Sequence, residues 1–67
     1  MPLDYQRELR TIEATYAPGT PRQRAYTRLA EQLEAARDQA SAIQVRHTLS
    51  VLVHHTKALA RQERERS

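Results

Sequence analysis

Apolar residues recur along this chain at helical spacing. Tyr5, Leu9, Ile12 and Tyr16 are spaced 4, 3 and 4, one face of a 3.6-residue period. The spacing predicts a helix over 3–16, with Asp4 and Glu8 early, where the helix dipole favours acid. Residues 17–20 then break the pattern. Pro18 stops the first helix and Gly19 permits a positive φ. Thr20, Pro21 and Gln23 read as an N-cap, a first-turn proline and a capping box. From Pro21 a second stripe runs through Tyr26, Leu29, Leu33, Ala36, Ala40 and Ile43. A connection this short makes the two helices antiparallel neighbours. A first helix of about 21 Å covers the second only to roughly residue 37.

Beyond that point the apolar face turns. Val45, Leu49, Leu52, Thr56 and Leu59 form a stripe about 150° round the helix from the one before it. Two architectures accommodate this. In the first, one helix runs over 21–62 and its far half offers apolar surface to another chain. In the second, the chain turns near 38–41, Ser41 and Gln44 cap a third helix, and a three-helix bundle closes. Glu34, Ala35, Ala36, Arg37 and Ala40 are strong helix formers, and a tight turn there lacks the usual Gly or Asn. These residues favour the continuous helix. The β-branched run from Thr48 to Val53 has no second strand candidate to pair with. The expected fold is therefore all-α. It is a helical hairpin, 3–16 on 21–62, with a frayed tail at 63–67, in one domain. Coiled-coil-like dimerisation uses the far half, with Val45, Leu49, Leu52, Val53, Thr56 and Leu59 at the interface.

Length sharpens that expectation. A chain of 67 residues buries only about 60% of the surface its unfolded form exposes. With no cysteine, disulfides do not make up the deficit, and self-association becomes the leading means. The N-terminal stretch lacks an apolar signal region, and no run approaches the ~18 apolar residues of a membrane span. A soluble, cytoplasmic protein is expected.

The chemistry-bearing residues are few. His47 and His54 lie seven apart on one face, about 10.5 Å along the axis, too far to chelate one metal ion within a chain. Only a symmetric dimer brings such histidines together, and no metal or cofactor is expected. Serines 41, 50 and 67 sit in no nucleophile elbow, and the single glycine makes no phosphate loop. Glu31, Glu34 and Asp38 share a face and read as a solvated acidic strip. No enzyme is expected.

Charge adds one alternative. Eleven basic and eight acidic residues leave a net charge of +3. On a continuous helix, Arg24, Arg28, Arg46, Lys57 and Arg64 fall within about 60° of one another. Such a strip suits a phosphate backbone, though no aromatic interleaves to stack on bases. The expected function is a helical protein–protein interaction module, an adaptor, regulator or chaperone-like subunit working as an oligomer or on a helical partner. The alternative is a dimeric DNA- or RNA-binding regulator using that basic face.

Overall fold

The computed structural model describes residues 4–66. They form three helices, α1 (Tyr5–Thr15), α2 (Thr20–Gln39) and α3 (Ile43–Arg66), with no strand among the described residues. The all-α expectation holds, and Thr48 to Val53 is helical. The expected start of the first helix at residue 3 and the tail residue Ser67 lie outside the described residues.

α1 opens on Asp4, whose carboxylate accepts the Arg7 N–H at 3.1 Å. It buries Tyr5, Leu9 and Ile12, three of the four residues of its stripe, and leaves Tyr16 half-buried. The turn departs from the expected capping box. Gly19 occupies the N-cap of α2 at φ 94°, ψ −140°, a region open to glycine, and Thr20 is already helical. No side chain caps this end. Instead the Gln23 N–H donates to the Gly19 carbonyl at 2.9 Å.

The continuous helix over 21–62 is not what forms. α2 ends at Gln39, and Ala40 is extended at φ −76°, ψ 132°. Its N–H still donates back to the Ala36 and Arg37 carbonyls. α3 begins three residues later, with the Arg46 N–H donating to the Ala42 carbonyl. A turn through extended backbone needs no left-handed residue, so alanines serve where Gly or Asn was expected. Folding back buries Leu33 and Val53 in one core cluster and buries Thr56 on α3, each at most 1% exposed. That burial outweighs the local helix propensity of Ala40 to Ala42.

The 63–67 tail is corrected as well. α3 continues to Arg66, and Glu63 is buried. Thr56, Ala60 and Glu63 are spaced 4 and 3, so they extend the core-facing stripe of α3 to its end.

The three helices differ in length, and this positions the site. α1 rises about 16 Å and α3 about 36 Å. Gly19 and Glu63 mark the base of the bundle. Tyr5, at the other end of α1, reaches only to His55 and Thr56. From Ile43 to that contact α3 runs about 20 Å.

Candidate functional site

The uncovered tip carries apolar side chains that a closed bundle would bury. Ile43 is 81% exposed, Val51 52% and Val45 48%. Gln44, Val45, Thr48, Leu49 and Leu52 line an open groove of about 330 Å³ on α3. None of these five carries a charge. Leu49 and Leu52 touch the core with one side and the groove with the other.

The six expected interface residues therefore divide. Val45, Leu49 and Leu52 lie along the groove. Leu59 is half-buried against the core. Val53 and Thr56 are buried within the chain, so they are not surface for a partner in this fold. The stripe read as outward-facing passes under α1 at Thr56 and becomes core.

About one turn beyond Leu52, polar contacts join α1 to α3. Tyr5 Oη lies 2.7 Å from His55 Nδ1 and 2.8 Å from Thr56 Oγ1. The Tyr5 and His55 rings meet edge to face, with centroids 5.7 Å apart. Sequence reasoning missed this joint, because Tyr5 reads as a plain core residue and His55 falls outside the His47 and His54 face. Thr56 on the core stripe beside His55 is the signal that marks it.

The basic residues do not form one strip. The break in the long helix separates Arg24 and Arg28, on α2, from Arg46, Lys57 and Arg64, on α3. Arg28 faces α1, where its Nη2 donates to Tyr16 Oη at 3.2 Å and its guanidinium lies 5.8 Å from the Tyr16 ring centre. Lys57 and Arg64 line a different groove, about 380 Å³, between α2 and α3 over Ala30 and Ala60. Glu31 and Glu34 share that groove, and Glu34 pairs with Lys57 at 3.2 Å. The acidic strip is thus partly paired, since Asp38 also meets Arg37 at 3.5 Å.

His47 and His54 are exposed on α3. Among the described residues no group of three or more histidines, cysteines or carboxylates is placed to hold a metal ion. Burial holds the Tyr26 hydroxyl above its ordinary value, with the Glu13 charge adding to the shift. No helix among the described residues is long and apolar enough to cross a membrane. Compared with protein families, characterised proteins and solved structures, the chain matches none.

Proposed function

We propose that this chain is a non-enzymatic helical interaction module that associates through the uncovered start of α3. The observation that carries this is the groove of Gln44, Val45, Thr48, Leu49 and Leu52 beyond the reach of α1. Apolar groups left in water at this density mark a surface meant to be covered.

The occupant this surface fits best is a second copy of the chain. Val45, Thr48, Leu49 and Leu52 are spaced 3, 1 and 3, a pattern that reads the same in both directions. A two-fold axis through its centre sets Val45 against the second copy's Leu52, and Thr48 against the second copy's Leu49. The lining is uncharged, so two copies meet without like-charge repulsion. The strip is short of the ~800 Å² per partner of a standard interface, so the dimer is a weak, concentration-dependent one. An adaptor or regulator that assembles reversibly is consistent with such an interface.

Sedimentation across a concentration series tests this. A monomer–dimer equilibrium is expected for the native chain and its loss for Val45→Asp. Val45 is half exposed, so the variant keeps its helices by circular dichroism. A monomer at every concentration overturns the dimer.

One observation keeps nucleic acid as a second reading. Residues 39–62 contain no acidic side chain, and Arg46, His54, Lys57 and Arg61 are all exposed on α3 at spacings of 8, 3 and 4. Binding to random duplex that falls steeply with salt, and is lost with Arg46→Glu and Arg61→Glu together, supports it. Salt-insensitive or absent binding removes it.

A further inference from the structure

Three short hydrogen bonds meet where α1 closes on α3. The Leu52 carbonyl, 2.7 Å from Thr56 Oγ1, can only accept, so the Thr56 hydroxyl donates to it. Thr56 has no second hydrogen, and its 2.8 Å bond to Tyr5 must be one in which Tyr5 donates. Tyr5 likewise has one hydrogen. Its 2.7 Å bond to His55 Nδ1 then requires the hydrogen to come from the imidazole. The reverse wiring leaves the Thr56 and Leu52 oxygens 2.7 Å apart with no hydrogen between them. We infer that His55 carries its hydrogen on Nδ1 and presents Nε2 as an acceptor at the end of the docking groove. There it is a proton-responsive contact for the second copy.

The position follows from the helix. Thr48, Leu52 and His55 are spaced 4 and 3, one stripe of α3, and the first two line the groove. His55 is exposed, and no described residue is hydrogen-bonded to its Nε2. Tyr5 is the titratable side chain placed against the His55 ring, and the nearest charged and titratable groups along the chain and its contacts are these. Asp4 precedes Tyr5 on α1, His54 and Lys57 flank His55 on α3, and α2 reaches this stretch through Glu34, on Lys57.

Two consequences follow. Acid adds a hydrogen only at Nε2, because Nδ1 already holds one. The bond to Tyr5 therefore survives protonation and α1 stays in place. The groove end, in contrast, changes from neutral acceptor to cationic donor. In the antiparallel pairing His55 lies beside the second copy's Ala42, and two protonated rings enter one apolar interface. The dimer loosens in acid while the fold persists.

The role at the interface rests on the proposed dimer, but the tautomer does not, and the two are tested separately. Long-range proton–nitrogen spectra of the full chain at about pH 8 read the tautomer directly. The Nδ1–H form is expected for His55. A predominant Nε2–H form overturns the assignment whatever the oligomeric state. Tyr5→Phe is expected to abolish the preference, and its persistence overturns the hydrogen-bond origin. Sedimentation at about pH 8 and pH 5 then reads the role. At least a fivefold weaker dimer is expected in acid, retained in His47→Gln and His54→Gln and lost in His55→Gln. A dimer indifferent to pH overturns the interface role. A chain monomeric at both pH values overturns the dimer itself and leaves the tautomer standing.

Discussion

The Glu63 carboxylate accepts the Gly19 N–H at 2.9 Å, across 44 residues of chain. It ties the last turn of α3 to the turn between α1 and α2. Both residues are buried, and Arg66 lies 3.9 Å from the same carboxylate. Glu63 therefore takes over the turn-closing role that the sequence assigned to a local capping box. Replacing Glu63 with Ala leaves a buried N–H without its acceptor and is expected to cost about 1.5–3 kcal/mol. Glu63→Gln keeps an accepting oxygen and is expected to cost less. Urea denaturation of the three proteins checks the order. Gly19→Ala probes the other partner. With φ at 94°, a Cβ there is expected to cost about 1–3 kcal/mol.

The boundary between the core and the exposed start of α3 is a second measurable feature. Leu33 and Val53 are each 1% exposed, whereas Val45 is 48% exposed. Leu33→Ala removes packed volume and is expected to destabilise by about 2–5 kcal/mol. Val45→Ala at low protein concentration is expected to change stability by less than about 0.5 kcal/mol. If Val45→Ala is as costly as Leu33→Ala in a monomeric sample, the tip is buried within one chain and the groove reading fails.

The same division shows what the sequence made legible. The base of the bundle follows the periodic pattern, because Tyr5, Leu9 and Ile12 and then Tyr26, Leu29 and Leu33 obey one spacing and all find burial. The joint at Ala40 to Ala42 did not, because local rules look for a left-handed residue and this turn uses none. The 150° rotation between the stripes of α2 and α3 was the available sign that one straight helix could not bury both. Val45, exposed, and Leu49 and Leu52, half-buried, were read correctly as at least partly solvent-facing. Val53 and Thr56 were not, since period alone does not say where α1 stops. Glu63 was hidden by its charge, which reads as tail until a buried N–H is placed opposite it.

Asp4 controls the end of α1 that meets α3. Its side chain supplies the N-cap by accepting the Arg7 N–H at 3.1 Å. Asp4→Ala is expected to cost about 0.5–2 kcal/mol. The loss falls on α1 first, because α1 is the shortest helix and packs less extensively than α2 and α3 do on each other. Amide exchange is expected to speed up from Tyr5 to Leu9 before it does in α2 or α3. Uniform acceleration over all three helices contradicts a separately anchored α1.

Tyr26 sets the behaviour in alkali. It is 4% exposed, and burial, with Glu13 nearby, raises its hydroxyl above the ordinary 10.0. The neutral phenol is the form the fold prefers. Its contribution is fully present below pH 10.0, the value in the unfolded chain, and is lost as pH rises through the higher folded value. Stability is therefore expected to fall above about pH 10 as the unfolded state captures tyrosinate. Tyr26→Phe removes the ionising group and is expected to flatten that limb, leaving the loss at neutral pH to packing alone. Tyrosinate absorbance followed against helicity reads the effect. A Tyr26 that ionises in the folded chain at the ordinary value, with no loss of helix, shows that burial does not hold the proton.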